Sequence, residues 1–213
     1  MARNLRLGRD VLKVGTPMAT KNIIRKLPSK SGFNVRPDDR KLTELVVLLA
    51  SRSQSDPLFG SVKLNKLLFY CDFLAYAALG KPITGQQYFA LANGPALKRK
   101  TTLWHTMEKK KDIAVRREDT RFNTQRETTL ALRNPDVTVF SSPELDLIYR
   151  VLVNCKDMDG NDLSELSHRF PGWELAREKE PIPYTVALIG GRPPSHAEVK
   201  IAACLAAELE VAA

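Results

Sequence analysis

Histidine and cysteine are the side chains through which this chain could most readily bind a metal or transfer a proton. The chain contains three of each: His105, His168, His196, Cys71, Cys155 and Cys204. No two of them stand three or four positions apart, the spacing that places two ligands on one face of a helix. The pattern therefore predicts no metal site. It favours cysteines that are small buried hydrophobic residues in a reducing compartment.

His168 differs from the other histidines because it lies just before a helix break at Pro171-Gly172 and shortly before Trp173. A neutral imidazole donates one hydrogen bond and accepts another, so we expect it to tie a helix end to a neighbouring segment rather than to act in catalysis. The sequence has no glycine-rich phosphate loop, G-x-S-x-G elbow or H-E-x-x-H motif. We therefore predict that the protein is not an enzyme and needs no cofactor.

The net charge of +9 is concentrated in the N-terminal arm, residues 1–36, which contains nine basic residues and a single acidic one, Asp10. Such an arm can bind nucleic acid or an acidic protein, or it can be a solvated, poorly ordered extension. The first 15 residues have no uninterrupted apolar core and no small-residue cleavage site, so we expect a cytoplasmic protein.

The stretch from Ser61 to Gly80 is the element expected to organise the fold. Ser61 can cap the start of a helix, and Gly80 can take the left-handed conformation that ends one. Apolar side chains cover most of the circumference of this helix, so we expect it to be buried. Four polar residues inside it argue against a membrane span: Lys63, Asn65, Lys66 and Asp72.

A second helix and a strand are predicted on either side of this central helix. Asp38 or Asp39 can cap a helix with an apolar stripe at Leu42, Leu45, Val46 and Leu49. Residues 87–91 are predicted to form a short strand, and Asn93-Gly94-Pro95 is a strong chain-reversal signal. Residues 96–111 are predicted to form a helix with its basic clusters outside.

The rest of the chain adds a hairpin and further helices. Residues 113–117 and 128–133 alternate in polarity, which favours a β-hairpin. Capping-box spacing predicts helix starts at Ser141, Asp162 and Ser195. For the first of these helices, Ser142 is an alternative cap, with Pro143 in the first turn. The expected fold class is α+β and predominantly helical: a helical core around one buried central helix, with a small β-hairpin or sheet.

Several segments occur in an order that resembles one known family. They are KLNKLLFYCDFLAY (63–76), GKPITGQQYFALANGP (80–95), SSPEL (141–145), LSELSH (163–168), Trp173 and IPY (182–184). On these segments the chain is identified as a member of the Panacea domain family, also called the SocA-like antitoxin domain and found in phage-associated GepA-like proteins. The resemblance covers roughly residues 37–188.

The resemblance implies an antitoxin of a toxin–antitoxin system, which neutralises a cognate protein toxin by direct binding. At least one family member acts as an adaptor that presents its toxin to an AAA+ protease. Together with the charge and helix patterns, the resemblance predicts three parts: a basic arm (1–36), the antitoxin domain (37–190) and a C-terminal helix (191–213). The residues that match family motifs are Lys63, Leu64, Lys66, Leu67, Leu68, Tyr70, Gly94, Pro95, Ser167, His168 and Trp173.

Protein interfaces concentrate binding energy in a few aromatic and arginine side chains. Candidates for partner binding are therefore Tyr88, Trp104, Trp173, Arg121 and Phe122, although large aromatic residues are more commonly core. The hairpin tip, residues 119–126, is predicted to be exposed. An alternative function also remains: a phage-related regulator that binds nucleic acid through residues 1–36.

Overall fold

The computed structural model describes residues 35–119 and 125–189, which form an α+β, predominantly helical fold. The elements are α1 (Asp39–Arg52), α2 (Ser61–Leu79), β1 (Tyr88–Leu91), β2 (Gly94–Leu97), α3 (Lys100–Lys109), β3 (Ile113–Asp119), β4 (Gln125–Ala131), α4 (Ser142–Asn154), α5 (Gly160–His168), α6 (Pro171–Glu174) and β5 (Pro181–Ile182). The predicted arm, the C-terminal helix, Arg121 and Phe122 lie outside the described residues, apart from the last two residues of the arm.

Helix α2 is the buried central helix that the sequence predicts. It packs against α1, α4, α5 and the β1–β2 hairpin, because apolar residues such as Leu64, Leu68 and Phe69 cover most of its surface. Gly80 ends it in the left-handed conformation, with φ of +74°. Its N-cap is Gly60, so Ser61 is the first helical residue and not the cap. Within the described residues no helix is long and apolar enough to cross a membrane.

Helix α1 is interior over most of its length. Asp38 caps it by accepting a 2.9 Å hydrogen bond from the backbone N–H of Lys41. The predicted stripe of Leu42, Leu45, Val46 and Leu49 is fully buried, as are the residues between Val46 and Leu49. The core therefore forms around a pair of helices, α1 and α2, that are both surrounded by protein.

Two antiparallel sheets lie against this helical core. One has the strand order β2-β1-β5, with Tyr88 opposite Leu97 in β2 and opposite Ile182 in β5. The other is the predicted hairpin, β3 with β4, which pairs Ile113 with Ala131. It extends to Asp119 and Gln125, farther than the sequence predicts, because cross-strand pairing continues after the polarity alternation ends.

The predicted helix over residues 96–111 is wrong at its start. Ala96 and Leu97 belong to β2, and α3 begins only at Lys100. Gly94 has a φ of +89°, which turns the chain back so that β2 pairs with β1 along Tyr88–Leu91. Backbone pairing across this turn thus outweighs the helical pattern that follows it.

Two capping boxes open α4 and α5. In α4, Ser141 and Glu144 form the predicted box. In α5 the predicted cap at Asp162 is wrong, because Asp159 is the N-cap and accepts from the N–H groups of Asn161 and Asp162 at 2.7 and 2.9 Å. The carboxylate of Asp162 in turn accepts a 3.0 Å hydrogen bond from the backbone N–H of Asp159. The helix starts three residues earlier because an acid with the same spacing lies there.

Cys71 and Cys155 are buried and free, as expected, whereas Cys204 lies outside the described residues. Burial raises the pKa of the Cys155 thiol to about 11.

Candidate functional site

Four segments of the chain meet at the turn between β1 and β2, and they bring together most of the polar residues of the family motif. We call this group the Gly94 cluster. It contains Asn65 and Lys66 from α2, Gly94 from the turn, Ser167 and His168 from the end of α5, and Trp173 from α6.

Gly94 is required at this turn for two reasons. Its φ of +89° is a conformation that residues with a Cβ rarely adopt. A Cβ at this position would also collide with the hydroxyl of Ser167 and the amine of Lys66. The backbone of the turn therefore lies directly against both side chains, which explains why Gly, Ser and Lys occur together in the motif.

Lys66 is a buried amine that binds backbone carbonyl groups. Its side chain is 1% exposed, and its Nζ donates to the carbonyl oxygens of Asn93 at 2.5 Å and Pro95 at 3.2 Å. No carboxylate among the described residues pairs with it. Burial lowers the pKa of Lys66 to about 8, so at neutral pH the protonated amine predominates and is held by carbonyl dipoles.

Asn65 extends the same contact along β2. Its Nδ2 donates to the carbonyl of Pro95 at 2.9 Å, and its Oδ1 accepts from the N–H of Leu97 at 3.2 Å. The amide thus satisfies the backbone of β2 as a neighbouring strand would. Sequence reasoning did not single out Asn65 for this role. The available signal was a polar amide inside an otherwise apolar helix.

His168 and Trp173 close the cluster from the side of α5 and α6. Their rings stack, with centroids 4.0 Å apart and planes inclined by 20°. The Trp173 Nε1–H donates to the carbonyl of Leu91 at 2.9 Å, whereas Nε2 of His168 is buried without a partner among the described residues. The hydrogen bond that ties this helix end to the hairpin therefore comes from the indole, and the imidazole contributes by stacking.

Ser167 is also committed to the fold, since its hydroxyl donates to the carbonyl of Ser164 at 2.7 Å. Lys63, one turn before Lys66, pairs with Asp56 at 2.8 Å and donates to the carbonyl of Lys156 at 2.9 Å. Most polar groups of the motif thus bind backbone or a local ion pair. This arrangement fixes the β1–β2 turn and the ends of α2 and α4 in place.

The family model for the SocA-like antitoxin Panacea domain matches residues 64–174, just over half of the chain. This chain belongs to the SocA-like Panacea family. The matched range contains every member of the Gly94 cluster. No curated protein and no solved structure matches the chain.

Two of the residues predicted to bind a partner lie in the core of this Panacea domain. Tyr88 and Trp104 are 1% and 6% exposed. Tyr88 donates to Asp72 at 2.9 Å and Trp104 donates to Thr129 at 3.1 Å. Neither side chain offers surface to a partner in this structure, because each is an interior aromatic with a satisfied polar atom. Arg121 and Phe122, the other two residues of that prediction, lie outside the described residues.

Tyr88 belongs to a second buried polar group, which we call the Asp72 cluster: Asp72, Thr84 and Tyr88. Asp72 on α2 is fully buried. Its carboxylate accepts from the N–H and hydroxyl of Thr84 at 2.6 and 2.5 Å and from Tyr88 at 2.9 Å. Burial raises the pKa of Asp72 in spite of these three hydrogen bonds. Sequence reasoning treated Asp72 only as evidence against a membrane span.

Within residues 35–119 and 125–189, no group of three or more His, Cys, Asp or Glu residues is arranged to hold a metal ion. The two clusters share one arrangement, in which a buried ionisable side chain on α2 binds polar groups of the β1–β2 hairpin or of the segment before it.

Proposed function

We propose that this Panacea-domain protein is an antitoxin that neutralises a cognate protein toxin by direct binding and performs no catalysis of its own. The observation that carries the proposal is family membership over residues 64–174. The destination of the motif side chains supports it, because Lys66, Asn65 and Trp173 all donate to the β1–β2 hairpin. Side chains committed in this way build a rigid scaffold and leave recognition to the surface.

One groove on this surface combines exposed apolar side chains with a charged rim, a mixture that suits a protein partner. It has a volume of about 430 Å³ and lies between the α1–α2 loop and the end of α4. Leu58 and Val153 line it, and Val153 is 68% exposed. Beside it, the guanidinium of Arg52 lies 5.5 Å from the ring centroid of Tyr149. Exposed apolar groups next to aromatic and arginine side chains are typical of binding hot spots.

Co-expression with the neighbouring gene tests neutralisation directly. We expect a short adjacent open reading frame whose product stops growth when expressed alone and is harmless when the full chain is expressed with it. The purified proteins should then form a stable complex on size-exclusion chromatography. Growth arrest that persists in the presence of the full-length protein would contradict the proposal.

Substitutions in the groove test where the toxin binds. Val153→Asp places a charge on an exposed apolar position, so we expect the fold to persist and toxin affinity to fall at least tenfold. Leu132→Asp is the matched control, since Leu132 is also exposed but lies outside this groove. If both variants rescue growth equally well, the toxin binds elsewhere, and neutralisation itself still stands.

We further propose that neutralisation proceeds through an AAA+ protease, with this protein as the adaptor. The toxin should then be degraded quickly in cells that contain both the protein and the protease, and slowly when either is absent. Pulse–chase measurement of toxin half-life checks this. A half-life that does not depend on the protease would leave direct binding as the whole mechanism.

A further inference from the structure

Positive charge in the described residues is concentrated at the two ends of α3. Between residues 81 and 111 the sequence contains seven basic residues and a single acid, Glu108. Six of the basic residues flank or begin and end α3, which spans Lys100–Lys109. They are Lys98, Arg99, Lys100, Lys109, Lys110 and Lys111.

Four of these six cations are exposed and have no ion pair with another described residue: Lys98, Lys109, Lys110 and, just beyond the end of α3, Lys111. Arg99 is paired with Asp39 at 2.7 Å, and Lys100 donates to the hydroxyl of Ser61. The Lys98 amine lies 5.0 Å from the ring centroid of Phe89, which holds its stem against β1. Unpaired charge thus remains at both ends of the helix.

The outer face of α3 between these ends is polar. Thr101, Thr102, His105 and Thr106 are exposed, whereas Leu103, Trp104 and Met107 face the core. We call the exposed residues Lys98, Thr101, Thr102, His105, Thr106, Lys109 and Lys110 the α3 basic face. It contains hydroxyl, imidazole and ammonium groups and no large apolar side chain. The carboxylates of Asp39, Glu44 and Asp112 lie beside it, in a pocket that Thr102, Thr106 and Lys110 also line. These carboxylates are already paired with Arg99 or Arg133.

This composition fits a nucleic-acid backbone better than a protein. Protein interfaces depend on apolar and aromatic anchors at their centre, which the α3 basic face lacks. Phosphate groups are instead bound by lysine and by threonine hydroxyls. Single strands also need aromatic platforms on which bases stack, so a duplex is favoured. The ten-residue helix is about 15 Å long, which corresponds to about four phosphates along one strand.

We propose that the α3 basic face binds the phosphate backbone of double-stranded nucleic acid without reading its sequence. This surface shares no residue with the groove proposed for the toxin or with the N-terminal arm. Lys98 contacts phosphates at one end of the helix, Lys109 and Lys110 contact phosphates at the other, and the threonines donate hydrogen bonds between them.

Fluorescence anisotropy of the full-length protein with a labelled 20-base-pair DNA duplex of arbitrary sequence tests this proposal. The variant is Lys98→Glu/Lys109→Glu/Lys110→Glu. We expect affinity at 100 mM salt to fall at least tenfold. We also expect the slope of log affinity against log salt to become shallower by about 2 to 3, because three phosphate contacts are lost. The single strand of the same sequence should bind more weakly than the duplex.

A matched control separates this surface from net charge alone. Lys81→Glu/Lys156→Glu/Arg177→Glu makes the same change in charge at exposed positions away from α3, and it should lose much less affinity. Equal losses in the two variants would overturn the proposal. Circular dichroism and thermal melts verify that each variant is folded.

Three further results would count against nucleic-acid binding by the α3 basic face. Arg3→Glu/Arg6→Glu/Arg9→Glu tests the arm, and loss of binding in this variant alone would overturn a role for α3. Absence of duplex binding by the unmodified protein in 50 mM salt would do the same. If the α3 variant kept its DNA affinity but lost toxin binding, the face would be a site for an acidic protein instead.

Discussion

The Gly94 cluster and the Asp72 cluster are two solutions to one problem, the placement of a charge inside the core. Lys66 and Asp72 stand six residues apart on α2, about 9 Å along the helix axis. Lys66 binds the carbonyl groups of Asn93, in the turn after β1, and of Pro95, in β2. Asp72 binds the hydroxyl of Tyr88, at the start of β1. Ionisable groups of opposite type therefore hold the start of β1 and the turn that follows β1 against the central helix.

The two clusters differ in how well they compensate for burial. Asp72 accepts three hydrogen bonds, while Lys66 donates two, of which one is long. Burial nevertheless disfavours the charged form of each, since it lowers the pKa of Lys66 and raises that of Asp72. The comparison teaches that these charges determine where β1 lies, at some cost in stability. Each prediction below tests one side of it.

The largest effect is expected for Gly94→Ala, which introduces a Cβ where Ser167 and Lys66 leave no space. We expect the free energy of unfolding to fall by about 4 kcal/mol, since backbone strain and a steric clash add. Urea denaturation measures this. Gly80→Ala is the matched control: its φ is also positive, at +74°, but no atom lies within 4 Å of the added Cβ. It should cost only about 1 kcal/mol. Equal costs would mean that the clash at Gly94 is relieved.

Asp72→Ala should be the next most damaging change, at about 3 kcal/mol. It leaves the N–H of Thr84 and the hydroxyl of Tyr88 buried without their acceptor. Asp72→Asn, which keeps one acceptor oxygen, should cost less. Because the folded pKa of Asp72 is raised, wild-type protein should lose stability relative to the Asn variant as the pH rises from about 4. A constant difference between the two across this range would show that Asp72 is not perturbed.

Lys66→Met should cost about 1–2 kcal/mol at pH 7, because two carbonyl groups lose a donor while the apolar volume is kept. Its pH dependence is more specific. With a folded pKa of about 8, below the unfolded value of 10.5, Lys66 releases its proton more readily in the folded state. Stability should therefore rise between pH 8 and 9.5 in the wild type.

Lys63→Met is the control for this pH dependence. Lys63 is also buried on α2, where it is paired with Asp56. Because Lys63→Met leaves Lys66 in place, the rise in stability should persist in this variant and disappear in Lys66→Met. Urea titrations at half-unit pH steps distinguish the two variants. If stability still rose with pH in both variants, the rise would come from a different titratable group.

The smallest effect is expected for Trp173→Phe, at about 1 kcal/mol. The substitution removes the indole donor to Leu91 but leaves an aromatic ring to stack on His168. Trp173→Ala should cost more, because it removes the stacking as well. Thermal melts of the three proteins would rank them, and a Phe variant as unstable as the Ala variant would make the hydrogen bond the dominant contribution.

The sequence predicts many of the features that depend on neighbouring residues. Gly80 and the Ser141 capping box act within one helical turn, and the structure contains both. The caps predicted at Ser61 and Asp162 are wrong by one and three residues, because a neighbouring residue can also act as the cap. Asn65 and Asp72 could be recognised only as polar residues in an apolar helix. Their partners, Pro95 and Thr84, lie 30 and 12 residues away. Long-range partners of this kind leave no local periodicity, and for the same reason Ala96 and Leu97, the second half of β2, were predicted to be helical.

The motif residues show the same division. Family resemblance identified Lys66, Gly94, Ser167, His168 and Trp173 without indicating what joins them, and the structure shows that they surround one turn. Tyr88 and Trp104 were proposed for partner binding because aromatic side chains are common anchors in interfaces, but aromatic side chains are equally suited to a core. Residue type alone does not distinguish these locations.

The buried thiols of Cys71 and Cys155 can be used to measure local opening of the folded protein. Cys71 lies in the middle of α2, and Cys155 lies at the end of α4. A thiol-specific reagent can modify either residue only while the surrounding layer is transiently displaced. Modification rates followed by mass spectrometry would therefore time the opening of each location separately, and toxin binding that tightened the scaffold would slow both.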